Sequence, residues 1–325
     1  MSANIDNFVI FVVRNMNLSF ACIFMFYKIY KALLKGLLNI LGAAPLRVHH
    51  FNARWLGWIL EHVVKYRVNV VDDNLRHAFP DVDEAGRKKI RHDFYRHFAN
   101  IFLEALWMGA SSAERVHRSH VAELKNPEVL NSMYAQSPSV MIMTSHAGNW
   151  ELIGSFYLFY YGFQPNYDDM DACVVYRRLH SKVMDDIMRE VRTSCVSNPA
   201  AFEGYQESTR VVRHIFKNKD RKKVYFFITD QRPYFSAKEF MTVDFMGRRC
   251  NTMSASAELA SKFSMAVIYQ RMLEREGGYD IEHVLICDDA SKMEPEAIIR
   301  RFYQLLEEDL RRQPHNYLWT HKRWR

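Results

Sequence analysis

The sequence is poor in the residues that crosslink a chain or break its regular structure, with 12 Gly, 9 Pro and 5 Cys among 325 residues. The cysteines are scattered and odd in number, which argues against a disulfide framework and for reduced thiols in a cytoplasmic compartment. Zinc-type cysteine spacing, a nucleic-acid-binding motif and internal repeats are all lacking. A Gly-x-Ser-x-Gly element is also absent, so a hydrolase built on a serine nucleophile elbow is not expected.

Charge and hydrophobicity together indicate that the protein binds a membrane and does not bind nucleic acid. The formal net charge of +7 suits anionic partners in general. The chain is also 49% hydrophobic, with 22 Phe and 17 Tyr, and this apolar content favours lipid. Its length is sufficient for one large α/β domain, or for one domain with an appendage.

The N-terminal segment lacks a clear membrane span. Phe8 to Tyr27 is apolar but contains Arg14, whereas a spanning helix needs about 20 residues with few or no charges. A basic leader region and an Ala-x-Ala site are missing, so a cleaved signal peptide is not expected. Residues 28–38 alternate lysines with apolar residues at helical spacing, which predicts an amphipathic helix lying on the membrane, with lysines at lipid phosphates. A helix packed on the domain is the alternative. We predict membrane-associating helices over residues 1–50 and an α/β domain over residues 51–325.

Short apolar runs alternate with helical segments through the rest of the chain. The strands are predicted at Val140–Thr144, Ala172–Tyr176, Val224–Thr229, Ala266–Gln270 and Ile281–Ile286. The helices are predicted at Leu152–Tyr161, Lys182–Thr193, Tyr205–Asn218, Ser254–Phe263 and from Pro295 to just before Pro314. This alternation predicts an α/β fold with a mixed, mostly parallel sheet covered by helices on both faces.

A long helix is predicted ahead of the sheet. Asp81 or Asp83 is expected to cap it, and Gly109 to end it. Apolar residues recur along it in steps of four and are predicted to face the core: Ile90, Phe94, Phe98, Phe102 and Leu106.

The segment His146-Ala-Gly-Asn-Trp-Glu151 is the strongest candidate for chemistry. His146 follows a predicted buried strand, and Glu151 lies in the first turn of the next predicted helix, after a cap at Asn149. Across this corner the carboxylate can accept the proton of one imidazole nitrogen, which leaves the other nitrogen as a base. The alternative is a hydrogen-bonded histidine at a strand end and a carboxylate that merely complements the helix dipole.

Six segments in the same order resemble one family. The His-x4-Glu block is similar to that of the lysophospholipid acyltransferase superfamily, and more narrowly to the bacterial lipid A late acyltransferases. The other matching segments are Asp73-Asn-Leu-Arg-His-Ala-Phe-Pro80, Tyr176-Arg177-Arg178-Leu179, Thr229-Asp230-Gln231, Phe245-Met-Gly247-Arg248 and Asn316-Tyr-Leu-Trp319-Thr-His-Lys-Arg-Trp324. The resemblance extends from about Phe51 to the C-terminus. It departs from the family pattern at Arg178, where proline is usual, and at Ser181, where asparagine is usual.

Four further residues are candidate substrate-binding groups. The resemblance implies that Arg177 holds an acceptor phosphate or an oxyanion, with a surface ion pair as the alternative. Asp230 and Gln231 are expected to orient Arg177 or bind the acceptor sugar, or else to cap a turn. Arg248 is expected to bind phosphate next to a helix N-terminus, or to lie in a solvated loop.

The resemblance implies an O-acyltransferase on the cytoplasmic face of a bacterial inner membrane. His146 would deprotonate a hydroxyl of a lipid A precursor that already carries its primary chains, and the oxygen would attack an acyl thioester. The donor would be acyl-ACP, on an acidic acyl carrier protein, or acyl-CoA, with no bound cofactor. A lysophospholipid or an acylated amino acid is the nearest alternative acceptor.

Two other classes of function remain open at this point. A metal-dependent hydrolase with His146 and Glu151 as ligands needs a third ligand, and no second pair with ligand spacing on a helix supplies one, so no metal is predicted. A non-catalytic membrane-binding module would depend on the N-terminal helices alone.

Overall fold

The computed structural model describes residues 20–232 and 241–324, with side chains from residue 25 onward. Most of the apolar segment that begins at Phe8 lies outside these residues. The α-helices are α1 (Phe20–Gly42), α2 (Leu46–Trp58), α3 (Val68–Ala78), α4 (Glu84–Gly109), α5 (Ala113–Ser119), α6 (Pro127–Gln136), α7 (Lys182–Arg192), α8 (Val211–Lys217), α9 (Ala255–Lys262) and α10 (Pro295–Arg312). A π-helical turn, Ile59–Val63, follows α2.

The described residues include nine strands, which form a seven-stranded sheet and a separate hairpin. The strands are β1 (Ala122–Leu124), β2 (Val140–Thr144), β3 (Ala172–Tyr176), β4 (Tyr205–Glu207), β5 (Val224–Ile228), β6 (Met241–Phe245), β7 (Arg248–Thr252), β8 (Ala266–Arg275) and β9 (Gly278–Cys287). The order in the large sheet is β1-β9-β8-β2-β5-β3-β4, and β6 pairs with β7. Every pairing in the large sheet is parallel except β8 with β9, so the predicted mixed, mostly parallel sheet is confirmed.

Side chains alternate between two hydrophobic layers along the central strands, as the pleat requires. Met141 and Met143 of β2 point into one layer, which includes Phe302 of α10, while Val140 and Ile142 point into the other. Both layers are buried, and both are covered by helices. The central strands therefore form a rigid platform whose carboxyl ends position the loops of the site.

The N-terminal helices form a bent pair on the side of the domain. No single described helix is long and apolar enough to cross a membrane, but Met25–Gly42 and Leu46–Val63 pass that test together, with a bend of 103° between them. The boundary predicted at residue 50 falls inside α2.

Two of the three lysines that the sequence predicts at lipid phosphates, Lys31 and Lys35, pair with the protein instead. Lys31 lies 2.7 Å from a carboxylate oxygen of Glu190, and Lys35 pairs with the other oxygen of the same carboxylate. Helix α7 carries Glu190, so these ion pairs fasten α1 against α7. The apolar side of α1 is left exposed, with Leu33 70% and Ile40 75% accessible.

Two predicted helices differ in the structure. The predicted helix Leu152–Tyr161 is a 3-10 helix, Trp150–Phe159, kinked at Ser155. Its apolar residues Ile153, Phe156 and Phe159 are three apart and all buried, which matches three residues per turn. The predicted helix Tyr205–Asn218 begins six residues late, because its first three residues pair with β3 as the edge strand β4.

Asp83, one of the two residues predicted to cap the long helix, is the N-cap of α4. The predicted core face of α4 is wrong at one position. The Asp83 side chain accepts the backbone N–H of Gly86 at 2.7 Å. Phe102 is 52% exposed, although Phe94 and Phe98 are buried. A stripe in steps of four drifts about 40° around the helix per step, because a turn has 3.6 residues, so it rotates out of the core.

Candidate active site

Three neighbouring parallel strands bring the candidate residues to one edge of the sheet. In the order β2-β5-β3, His146 follows β2, Asp230 and Gln231 follow β5, and Arg177 follows β3. Because the carboxyl ends of parallel strands meet at one edge, residues 84 apart in sequence become neighbours.

Both ring nitrogens of His146 have partners on the loop after β5. His146 Nδ1 lies 2.8 Å from Asp230 Oδ1, and His146 Nε2 lies 3.0 Å from the amide nitrogen of Gln231. His146 and Asp230 are buried, and the edge of the Trp150 indole packs on the imidazole at a ring-centroid distance of 4.9 Å. The imidazole is therefore held on three sides.

The charge on Asp230 fixes the tautomer of His146. Burial alone would raise the pKa of the Asp230 carboxyl, but the charge and hydrogen bond of His146 outweigh burial and lower that pKa below its usual value. The carboxylate is therefore ionised and accepts the Nδ1–H. His146 Nε2 then carries a lone pair, which accepts the Gln231 amide N–H and is the position of a base.

Glu151 has a different partner from the one that its spacing predicts. The Arg192 guanidinium makes a bidentate pair with the Glu151 carboxylate. Nε donates to Oε2 at 2.6 Å, and one terminal nitrogen donates to Oε1 at 2.7 Å. The Trp150 indole N–H also donates to Oε1, at 3.1 Å. The predicted hydrogen bond from imidazole to Glu151 is therefore replaced by one to Asp230, because the adjacent strand end supplies a buried carboxylate closer to Nδ1.

The loop that carries His146 is shaped by backbone constraints. Gly148 has φ +70°, and a Cβ at this position would lie 2.5 Å from the sulfur of Met272, so only glycine fits. Its N–H donates to the Asn316 side chain at 2.7 Å. Asn149 caps the next segment, as predicted: its side chain accepts the N–H of Glu151 at 3.0 Å.

A cavity of about 480 Å³ opens beside His146. Apolar side chains line much of it, Ile153, Val211 and Leu259 among them. Arg177 lies exposed at the same cavity, where the sequence places a substrate-binding group. A cavity that combines apolar lining residues with polar groups suits a fatty chain with a reactive head.

Arg248 does not reach the cavity. Met246 and Gly247 both have positive φ and form the tight turn of the β6–β7 hairpin, after which Arg248 begins β7 with its side chain exposed. The predicted turn is present, but a strand follows it and the expected helix N-terminus is absent at this position.

Sequence reasoning missed Arg192 and gave no role to His321, which also lines the cavity. The only signal for Arg192 was its position at the end of the amphipathic helix α7, whose residues Val183 and Ile187 are buried. In the part of the chain that the structure describes, no three His, Cys, Asp or Glu side chains are grouped as metal ligands.

The sequence model of one protein family, described as bacterial lipid A biosynthesis acyltransferase, matches residues 23–325. The chain belongs to this family. A search of curated proteins gives no significant match. Membership in the bacterial lipid A biosynthesis acyltransferase family makes the protein an acyltransferase that acts in lipid A synthesis, with a lipid acceptor and an acyl thioester donor. At the end of β2 in this acyltransferase, the imidazole of His146, a buried carboxylate and a cavity lie next to one another.

Replacement of Arg192 by methionine should destabilise this acyltransferase by about 3–5 kcal/mol, since it leaves the Glu151 carboxylate buried without its cationic partner. The measurement is the free energy of unfolding in urea, in a mild detergent. Arg189→Met, an exposed position on the same helix, is the matched control and should change stability by no more than about 0.5 kcal/mol. Equal stability of the two variants would mean that the Arg192–Glu151 pair does not hold the site together.

Proposed function

We propose that the protein is an O-acyltransferase that adds a secondary fatty chain to a hydroxyl of a lipid A precursor, with His146 as its general base. The observation that supports this most directly is the orientation of His146. Its Nδ1 is bound to a buried carboxylate, its Nε2 carries the lone pair, and an apolar cavity begins beside it.

The proposed reaction is direct transfer without an acyl-enzyme. The acceptor hydroxyl takes the place of the Gln231 amide at His146 Nε2 and gives up its proton as its oxygen attacks the thioester carbon. A C–O bond forms, the C–S bond breaks, and the imidazolium returns the proton to the leaving thiolate. Asp230 stabilises the imidazolium while the proton is on the ring.

Glu151 keeps a supporting role in this proposal. Its carboxylate is neutralised by Arg192, and Arg192 also donates to the Tyr205 hydroxyl at 2.7 Å. Both residues line the cavity, so the pair forms a rigid wall beside the imidazole. The competing mechanism is the one that the sequence predicts, in which Glu151 itself is the partner of His146. In that mechanism Arg192 must release one carboxylate oxygen of Glu151, and His146 must give up its hydrogen bond to Asp230.

The substrates are assigned by the chemistry of the cavity. The fatty chain of the donor, carried by an acyl carrier protein or by CoA, lies against the apolar residues of the cavity. Arg177 at the opening offers a planar guanidinium to a phosphate of the acceptor. A lysophospholipid or an acylated amino acid would use the same base and cavity.

The exposed apolar surface of the bent N-terminal pair is proposed to lie on the cytoplasmic face of the inner membrane. Leu33, Leu37 and Ile40 of α1 are more than half exposed, and so is Trp55 of α2, at 61%. Trp58 beside it is 45% exposed. Large apolar side chains that are exposed together mark a lipid or protein interface, and indole rings favour the membrane–water boundary.

Deletion of the gene in its own bacterium should remove one acyl chain from lipid A, which mass spectrometry of purified lipid A would detect. Wild-type protein should restore the chain, and His146→Ala should not. Unchanged lipid A in the deletion strain, with altered phospholipids or acylated amino acids, would move the proposal to one of the alternative acceptors.

Asp230→Asn should lower kcat by on the order of 10²–10⁴-fold and leave KM nearly unchanged, because an amide can no longer hold His146 in the required tautomer. Asp220→Asn, at an exposed position, is the control, and circular dichroism checks the fold of each variant. Wild-type kcat in Asp230→Asn, together with a large loss in Glu151→Gln, would favour the His146–Glu151 mechanism.

The double variant Trp55→Glu, Trp58→Glu should bind anionic phospholipid vesicles more than about tenfold more weakly than wild type, since two carboxylates replace apolar area at the interface. Sedimentation with vesicles measures the binding. Leu285→Glu, at an exposed position on β9, should bind like wild type. Equal binding by all three proteins would place the membrane contact elsewhere.

A further inference from the structure

The C-terminal segment before the last arginine is fastened to the domain through its backbone. Asn74 of α3 donates two hydrogen bonds from its side-chain nitrogen, to the carbonyl oxygens of Trp319 and His321, both at 2.7 Å. Arg67 donates to the carbonyl oxygen of Thr320 at 2.9 Å. Three consecutive carbonyl groups are therefore held by the side chains of Arg67, at the N-cap of α3, and Asn74, within α3.

The residues on either side of His321 are also fixed through their side chains. Arg323 is 1% exposed and donates to the Tyr303 hydroxyl at 2.5 Å and to the carbonyl oxygen of Asn251 at 2.9 Å. Trp319 is fully buried, and its indole N–H donates to the carbonyl oxygen of Pro314 at 2.6 Å. The backbone of His321 is therefore as well positioned as that of a core residue.

The ring of His321 lines the same cavity as His146 and Gln231. Within residues 25–232 and 241–324 it makes no side-chain hydrogen bond, in contrast to the fully engaged ring of His146. Burial lowers the pKa of the His321 imidazole to about 4, so the ring is neutral in the physiological range and carries one N–H and one lone pair. A neutral imidazole on a fixed backbone thus lines the cavity, and among the described residues its ring has no hydrogen-bond partner.

The proposed transfer needs such a donor. Attack on the thioester places negative charge on the carbonyl oxygen, and donors that are already in position lower this barrier most. Two nitrogen donors that line the cavity are engaged elsewhere: the Trp150 indole N–H donates to Glu151, and the Arg192 guanidinium donates to Glu151 and Tyr205.

We propose that His321 is a catalytic residue whose neutral imidazole donates a hydrogen bond to the carbonyl oxygen of the acyl thioester, and more strongly to the oxyanion that forms from it. This inference rests on the proposed acyl transfer. It assigns one histidine of the cavity to the acceptor hydroxyl and the other to the donor carbonyl.

The test is steady-state kinetics of the purified full chain with a lipid A precursor and the acyl thioester that supports wild-type turnover. His321→Ala should lower kcat by on the order of 10²-fold while KM for both substrates changes less than about threefold, the signature of an interaction made in the transition state. His321→Gln and His321→Asn place an amide N–H at the distance of one or the other ring nitrogen, and one of them should recover most of the loss. Lys322→Ala, at the exposed neighbouring position, should match wild type.

Three outcomes would overturn this assignment: wild-type kcat in His321→Ala, a raised KM with unchanged kcat, or equal losses in all three His321 variants with lowered melting temperatures. The last outcome would show a structural role, because it would track folding and not the N–H donor. His146→Ala in the same assay separates the two proposals. If it retains turnover, the base mechanism fails; if it is inactive while His321→Ala is normal, only the role of His321 fails.

Discussion

The site depends on one buried hydrogen bond, between His146 Nδ1 and Asp230. A carboxylate that is removed from water is costly unless it is paired. Burial would raise the Asp230 pKa, but the charge and hydrogen bonds of His146, together with the nearby charge of Arg323, lower it. The same bond decides which nitrogen of the neutral ring carries the lone pair. Because Asp230 follows β5 and His146 follows β2, and these strands pair in parallel through five residues, the sheet itself sets the distance between them.

Carboxylates also connect the loop of His146 to the N-terminal helices. Glu104 of α4 accepts the side-chain N–H of Asn149 at 2.7 Å, and its other oxygen lies 2.8 Å from Nε2 of His50 on α2. A second connection runs through α7. Glu190 of α7 pairs with Lys31 of α1, and Arg192, two residues further along α7, donates to Glu151. The helices with the exposed apolar surface are therefore joined to the loop of His146 through two short chains of polar contacts.

Most of the fold was predictable because its central strands are short, buried and separated by helices of ordinary length. Three errors arise because local periodicity reports neither tertiary pairing nor the slow rotation of an apolar stripe around its helix. The edge strand that begins at Tyr205 is three residues long, too short for a pattern, and Phe102 belongs to a stripe that rotates out of the core. The lysines of α1 are amphipathically spaced, yet spacing alone does not say whether the partner of Lys31 is a phosphate or Glu190.

The candidate site also shows that a local sequence pattern does not indicate which distant residues pair. The sequence predicted His146, Arg177 and Asp230 at strand ends, and the topology brings those ends together. Two carboxylates, Glu151 and Asp230, were then possible partners of the imidazole. Nearness in sequence favoured Glu151, whereas the structure gives Glu151 a bidentate guanidinium from Arg192. A forked, charge-assisted pair satisfies both carboxylate oxygens at once, and a neutral imidazole N–H satisfies only one. Arg192 therefore outcompetes His146 for Glu151, which leaves the imidazole to the carboxylate across the sheet.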